Sequence, residues 1–268
     1  MSRPVGQITR GTTGTNRLRR FDRWIAHLAG GTLRSATSPL VVDLGFGARP
    51  ATTLEWQRDL LAVNPRTQVV GVEIDRERVR AAHGLILAIH GGFEIPTDRD
   101  PLIIRAANVL RQYPRGEVER AWATMSARLA PEGWLLDGTC DEQGRLAAMV
   151  SIDGTGTPHW LTFSCRLAGL ERPSQVAARL PKVLIHDNVP GTPINALLAD
   201  MDRAWQVAPR WGARQRWIAM AEELQRSWPV RDGVSRWRLG ELTVAWGALA
   251  EPKYTAKGPP SPGGPSRE

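Results

Sequence analysis

Through the first half of the chain, short apolar runs alternate with segments in which apolar residues recur at the spacing of a helix. This alternation restricts the possible folds more than any other feature of the sequence. Leu40–Leu44 and Gln68–Glu73 are largely apolar and bounded by glycine or polar residues, which is typical of buried parallel strands. Between them, residues 53–63 have the spacing of a helix. A strand, a helix and a second strand in this order predict a parallel sheet with crossover helices.

The alternation continues as far as residue 137. Residues 102–108 predict another buried strand, residues 117–129 a helix, and residues 134–137 the strand that follows it. We expect a third strand between residues 85 and 94, where the pattern is weakest. The predicted fold class is therefore α/β: Rossmann-like, with a mostly parallel central sheet and helices on both faces.

The pattern changes after residue 140. Two apolar runs, residues 146–152 and 160–165, flank a turn-forming stretch at residues 153–158, so antiparallel strands are expected late in the chain. Residues 174–228 are expected to be mostly helical, and residues 242–246 to form a late strand. We expect three regions: a basic loop and helix over 1–37, a Rossmann-like domain over 38–250, and a disordered Pro/Gly-rich tail over 251–268.

Composition and charge limit the class of protein. The sequence has no apolar run of about 18 residues, so no membrane span is expected. The N-terminal arginines are not followed by an apolar stretch, which argues against a secretory signal. Cys140 and Cys165 form no CxxC pair, so we expect a reduced, cytoplasmic protein with no metal site. The net charge of +8 suits RNA, DNA or a small anion, although an arginine-rich composition without such a partner explains it equally.

The end of the first strand and the end of the second are the strongest candidates for a binding site. A strand that ends in small residues, as at Gly45 and Gly47, lets the backbone approach a ligand closely. Ligands of open α/β sheets bind beyond the carboxyl ends of the strands. Glu73 closes the second strand, where a carboxylate can accept hydrogen bonds from both hydroxyls of a ribose.

Two common nucleotide fingerprints fit poorly. The dinucleotide pattern G-x-G-x-x-G would need glycine where Pro50 stands, and proline also removes an N–H from the helix start that should hold the pyrophosphate. The sequence has no G-K-[ST], which excludes a phosphate-binding P-loop. A nicotinamide-dependent oxidoreductase is therefore disfavoured.

The stretch from Asp43 to Gly47 resembles motif I, D-x-G-x-G-x-G, of the class I S-adenosylmethionine-dependent methyltransferases, with Arg49 in place of the third glycine. The resemblance covers about residues 38–138. It implies that S-adenosylmethionine is the cofactor and that Glu73 holds its ribose. It also implies that the methionine end of the cofactor is held by Asp43, Gly45 and Gly47.

Two further segments are similar to cofactor-binding segments of that family. Asn108, at the end of the fourth strand, matches the position that lines the sulfonium side of the cofactor, and Phe93 and Glu94 match positions near the adenine. The N/D-P-P-Y motif of many amino-group methyltransferases is absent, because Val109 and Leu110 follow Asn108. This absence disfavours methylation of adenine or cytosine amino groups in DNA.

The resemblance implies a methyltransferase whose acceptor is a small molecule or RNA. The sequence identifies no general base: His186 is either a base in an acceptor-binding loop or part of a loop in which Asp187 or Asn188 caps the next helix. The alternative function is a non-catalytic Rossmann-like protein that binds a nucleotide or nucleic acid, favoured by Arg49 and by the missing base. The sequence does not determine the oligomeric state.

The sequence allows two interpretations for each of two basic stretches. Residues 203–217 interleave arginines with Trp205, Trp211 and Trp217, and this pattern suits either base stacking with phosphate contacts or ordinary helix packing. The arginine-rich N-terminal loop either closes over the cofactor or an anionic acceptor, or forms a disordered basic leader.

Overall fold

The structure is a computed structural model that describes residues 3–9, 11 and 13–249. The predicted tail, residues 251–268, lies outside the described residues. Nine strands form one sheet in the described part of the chain. They are β1 (Leu40–Leu44), β2 (Gln68–Glu73), β3 (Leu87–His90), β4 (Ile103–Ala107), β5 (Trp134–Cys140), β6 (Leu146–Ile152), β7 (Pro158–Cys165), β8 (Val230–Arg231) and β9 (Glu241–Ala245).

The helices lie between and after these strands. They are α1 (Arg19–Ser35), α2 (Ala51–Val63), α3 (Arg76–Ala82), α4 (Arg115–Ser126), α5 (Lys182–Ile185), α6 (Pro193–Val207), α7 (Ala213–Leu224) and α8 (Val234–Trp237). Short 3₁₀ turns occur at Leu110–Gln112, Pro173–Arg179 and Trp246–Ala248. Among the helices described, none combines the length and the apolar character needed to span a membrane.

The strand order is β3-β2-β1-β4-β5-β6-β7-β9-β8. Strands β1 to β5 pair in parallel, with Val42 opposite Val70 on β2 and Ile104 on β4. From β5 onward each pairing is antiparallel. The predicted Rossmann-like α/β class is confirmed, including the antiparallel strands added late in the chain.

Hydrophobic clusters cover both faces of the sheet because successive strand residues point to opposite sides. Val41 belongs to the cluster that includes Phe21 and Trp24 of α1 and residues of α2. Val42 belongs to the larger cluster, to which α4, α6 and α7 contribute. With helices on both faces, all five residues of β1 are buried, as expected of a central parallel strand.

The topology places several of the predicted site residues at one edge of the sheet. The carboxyl ends of β1, β2, β4 and β5 lie at this edge because these strands are parallel. Strand β7 runs in the same direction as β5, since both pair antiparallel with β6, and β9 begins at the same edge. Loops that are distant in sequence therefore meet there.

Candidate cofactor-binding cleft

The turn after β1 requires glycine for its conformation and for space. Gly45 and Gly47 have φ values of +70° and +79°, which L-residues with a side chain rarely adopt. A Cβ on Gly45 would lie 2.7 Å from Cγ2 of Val109. The Gly45 N–H donates to the carbonyl of Val72 at 2.7 Å, so the turn rests against the end of β2.

Glu73, the last residue of β2, is 2% exposed and faces this glycine turn. Its carboxylate accepts hydrogen bonds from the N–H groups of Gly47 at 3.0 Å and Asp75 at 3.1 Å. Nη1 of Arg78 lies 3.7 Å from Glu73 Oε1. A carboxylate has about four acceptor positions, so Glu73 keeps capacity for a further donor while it holds the turn in place.

Asp43 is tied to a buried arginine that we did not identify from the sequence. Arg105 of β4 donates from Nε to Asp43 Oδ1 at 2.9 Å and from Nη2 to Oδ2 at 2.7 Å, and Thr53 Oγ1 donates to Oδ2 at 2.6 Å. Arg105 also pairs with Asp22 of α1 and lies over the ring of Trp56, 4.1 Å from its centroid. These contacts fix the carboxylate of Asp43 below the glycine turn.

Burial and charge act in opposite directions on the pKa values of this cluster. Burial lowers the pKa of Arg105, but the carboxylates of Asp43 and Asp22 outweigh it, and the net shift is upward. Burial raises the pKa of Asp22 to about 7, although the charge of Arg105 opposes the shift. Arg105 was detectable in principle, because an arginine inside the apolar run of residues 102–107 needs buried counterions.

Asn108 follows β4 directly and has a positive φ of 61°. Its side-chain Oδ1 accepts from the N–H of Cys140 at 2.9 Å, and its Nδ2 donates to the Cys140 sulfur at 3.3 Å. Its backbone N–H donates to the carbonyl of Gly138 at 2.7 Å. The residue is therefore fixed between the ends of β4 and β5.

Two aromatic rings lie on the other side of the glycine turn. Phe93 and Tyr113 pack with ring centroids 5.1 Å apart, and both are buried. Next to Phe93 in the sequence, Glu94 accepts hydrogen bonds through its carboxylate from the N–H groups of Val5 at 2.7 Å and Gly92 at 2.9 Å.

Two small cavities lie beside the glycine turn, and Gly45 lines both. The first, about 40 Å³, is lined by residues that include Asp43, Gly45, Gly47 and Asn108. The second, about 20 Å³, is lined by residues that include Gly45, Glu73, Phe93 and Tyr113. Both are lined by Thr9, Leu44, Gly45 and Val109, so they are parts of one cleft. All the predicted site residues except Glu94 line it.

The N-terminal segment, residues 3–9 and 11, lies across this cleft. The Val5 carbonyl accepts from Phe93 N–H at 2.9 Å, and the Gly11 carbonyl accepts from Ala48 N–H at 3.3 Å. The Tyr113 hydroxyl accepts from Gln7 N–H at 2.6 Å and donates to the Gln7 carbonyl at 3.0 Å. Of the two alternatives for the N-terminal loop, these described residues match the one that closes over the cleft.

His186 is not among the described residues that line either cavity. Asp187 accepts two hydrogen bonds from the guanidinium of Arg115, at 2.5 and 2.8 Å. The N-cap of α6 is Thr192, without a side-chain cap. The expectation that Asp187 or Asn188 caps that helix was therefore wrong: Thr192 takes the N-cap position, while Asp187 binds Arg115 of α4 and Asn188 Oδ1 accepts from Asn195 Nδ2 at 3.1 Å.

The tryptophans of residues 203–217 divide into two groups. Trp205 and Trp217 are buried with ring centroids 6.4 Å apart, and the guanidinium of Arg216 lies 4.2 Å from the ring centroid of Trp205. Trp211 is 82% exposed. Helix packing accounts for the first two residues and leaves Trp211 unexplained.

No protein-family model and no curated protein matches this sequence. Among solved structures, the chain is similar to human N-acetylserotonin methyltransferase, with 21% identity over 48% of this chain and 39% of that one and a TM-score of 0.31. The plantazolicin methyltransferase BamL is 13% identical over 47% of each chain, with a TM-score of 0.37. A protein from Pyrococcus horikoshii is 14% identical over 51% of this chain and 77% of that one, with a TM-score of 0.32.

These similarities concern the fold alone. The chain spans less than half the length of the two methyltransferases. The strand order defines a Rossmann-like fold. Several of the similar structures are named methyltransferases. A fold of this kind serves many functions, so activity has to be argued from the site.

Proposed function

We propose that this chain binds S-adenosylmethionine in the cleft and transfers its methyl group to an acceptor, a small molecule or RNA. The main support is that the glycine turn, Glu73, Asn108 and the Phe93–Tyr113 ring pair line one cleft at the carboxyl ends of β1, β2 and β4. This is the edge at which open α/β sheets bind their ligands.

The chemistry of the lining suits the parts of this cofactor. The remaining acceptor capacity of Glu73 suits ribose hydroxyls, and the ring pair suits an adenine. The backbone at Gly45 and Gly47 suits the methionine end, where Asp43 lines the cavity with a carboxylate already paired to Arg105. Asn108 would lie on the sulfonium side.

The volume of the cleft requires the N-terminal segment to move. Small-molecule sites typically enclose about 300–1,000 Å³. The two cavities, about 40 and 20 Å³, are far smaller, and Thr9 of the N-terminal segment lines both. We infer that cofactor binding displaces this segment and joins the two cavities.

The bound cofactor supplies a methyl group already activated for transfer by its sulfonium. The chain's part is then to align the acceptor with that group and to exclude water. An acceptor that must lose a proton also needs a base. Neither cavity is lined by a described histidine, so we assign no base.

The cofactor assignment is tested by titration calorimetry with S-adenosylmethionine, S-adenosylhomocysteine and NAD. We expect binding of the first two and not of NAD. Glu73→Gln should weaken S-adenosylmethionine binding roughly 10- to 100-fold, since a hydrogen bond to a charged group contributes about 1.5–3 kcal/mol. Glu77→Gln removes an exposed carboxylate of α3 and is the matched control. Equal affinities of the two variants, with both proteins folded, would refute the ribose assignment.

A second candidate function is a non-catalytic binding protein with the same fold. It is favoured by the closed cleft, in which the carboxylate of Glu73 binds the chain's own N–H groups. Transfer of a labelled methyl group to total RNA or to a cell extract separates the two functions. Cofactor binding without any transfer would favour the second.

A further inference from the structure

A larger concave surface lies at the same edge of the sheet, beside the carboxyl end of β7. Its cavity is about 500 Å³ in volume, and arginines from four parts of the chain line it. None of the described residues that line it is acidic. We call it the arginine pocket, after Arg20 and Arg23 of α1, Arg166 after β7, Arg214 of α7 and Arg238 after α8.

The positive charge of the arginine pocket is only partly neutralised. Arg20 donates to the Gly144 carbonyl at 2.9 Å and to Ser164 Oγ at 3.1 Å, both of which are neutral. Arg23 pairs with Glu241 at 2.7 Å, but Glu241 also pairs with Arg236. Burial, together with the charge of Arg23, lowers the pKa of Arg20.

The other three arginines, Arg166, Arg214 and Arg238, are exposed. They form no ion pair with another residue in the part of the chain that the structure describes. Helix α7 begins at Ala213 beside the pocket, with no acidic residue in its first turn and no side-chain cap at Gly212. The positive end of that helix therefore adds to the field of the guanidinium groups.

Trp211 lies two residues before Ala213, which lines the pocket, and its side chain is 82% exposed. An aromatic side chain beside a basic groove is the arrangement by which proteins bind single-stranded nucleic acids, because bases stack on the ring while cations contact the backbone. A site for free phosphate would need the arginines but would have no use for this ring.

We propose that the arginine pocket binds the phosphodiester backbone of a single-stranded nucleic acid and that Trp211 stacks on one of its bases. The net charge of +8 favours such a partner over a neutral or cationic one. The site is separate from the cofactor cleft, and its occupation does not depend on the proposed methyl transfer.

Binding is measured by fluorescence anisotropy with labelled single-stranded RNA and DNA of mixed sequence, without cofactor and over a range of salt concentrations. Arg166→Ala/Arg214→Ala/Arg238→Ala should weaken binding. It should also make the slope of log affinity against log salt shallower by about 2, since each phosphate that an arginine neutralises adds about 0.7 to that slope. The matched control, Arg58→Ala/Arg120→Ala/Arg226→Ala, removes the same charge from exposed positions outside the pocket.

Trp211→Ala should weaken binding about 5- to 150-fold, and Trp211→Phe should retain most of the affinity because it keeps an aromatic face. Equal salt slopes for the two triple variants would overturn the proposed pocket. Arginine-dependent binding of pyrophosphate without binding of either oligonucleotide would overturn the nucleic-acid assignment. None of these experiments uses the cofactor, so a negative result would refute nucleic-acid binding at the arginine pocket without bearing on the proposed methyl transfer.

Discussion

Asp137 of β5 is a carboxylate held in an almost uncharged environment. It is 2% exposed, and Trp122 Nε1 donates to its Oδ2 at 3.0 Å. Burial raises the pKa of Asp137 to about 7, against the effect of that hydrogen bond. In the unfolded chain the pKa of an aspartate has its ordinary value of about 3.9. The folded state therefore binds a proton more tightly, and this group's contribution to stability is lost as pH rises from about 4 through 7.

Asp137→Asn keeps an oxygen for Trp122 and removes the titration. We expect the variant to be more stable than the wild type above pH 8, by up to about 4 kcal/mol, with the difference vanishing near pH 4. Urea denaturation at a series of pH values measures this difference. Asp22 titrates in both proteins, so its contribution cancels. Parallel stability curves for variant and wild type would contradict the prediction.

Strand β5 is the element on which the two halves of the sheet meet, because it pairs in parallel with β4 and antiparallel with β6. Because Gly138 has no side chain, β6 and α1 pack closely against β5 at this junction. A Cβ there would lie 2.4 Å from the carbonyl oxygen of Ala148 on β6 and 2.9 Å from Cε1 of Phe21 on α1. Neither the strand nor the packed ring can move without disturbing the core.

Gly138→Ala should destabilise the protein by about 1–3 kcal/mol through overpacking. Gly116 of α4 is the control, because a Cβ there would meet no described atom within 4 Å. Gly116→Ala should be neutral or stabilising by up to about 1 kcal/mol. Thermal denaturation of both variants gives the comparison, and equal changes in melting temperature would show that crowding at Gly138 is relieved.

At the scale of the whole molecule, hydrogen bonds join the N-terminal segment to residues 93, 94 and 113 beside the cleft and so close it. Tyr113 supplies two of them through its hydroxyl, to the N–H and carbonyl of Gln7. The measured affinity of a ligand falls with the fraction of molecules that are open. The hydrogen bonds of Tyr113 should therefore weaken cofactor binding.

Tyr113→Phe keeps the aromatic ring and removes both hydrogen bonds. We expect S-adenosylmethionine to bind about 5- to 30-fold more tightly, because removing the two bonds makes closure less favourable by about 1–2 kcal/mol. Glu94→Gln, which weakens the bond to Val5 N–H, should act in the same direction. Calorimetry measures both variants, and weaker or unchanged binding in both would show that the closed segment is not the barrier.

The residues around the cleft differ in how far the sequence could identify them. Gly45, Gly47 and Glu73 follow recognisable strands, and a parallel sheet brings such positions together whatever the rest of the chain does. The ion pair of Arg105 with Asp22 depends on α1 packing against β4, and its pair with Asp43 depends on β4 lying beside β1, neither of which local patterns specify. Glu94 follows Phe93 directly, yet one of its two hydrogen-bond partners is Val5, far away in the sequence.

The alternation of apolar runs and helices, read from the sequence alone, determined the class of fold, the late antiparallel strands and the position of the glycine turn. These features depend on periodicity and local backbone preference, which neighbouring residues set. Only the tertiary structure showed the N-terminal segment across the cleft and the arginine pocket built from α1, α7 and two loops. Both arise from contacts between residues distant in sequence, whose geometry exists only once the sheet has assembled.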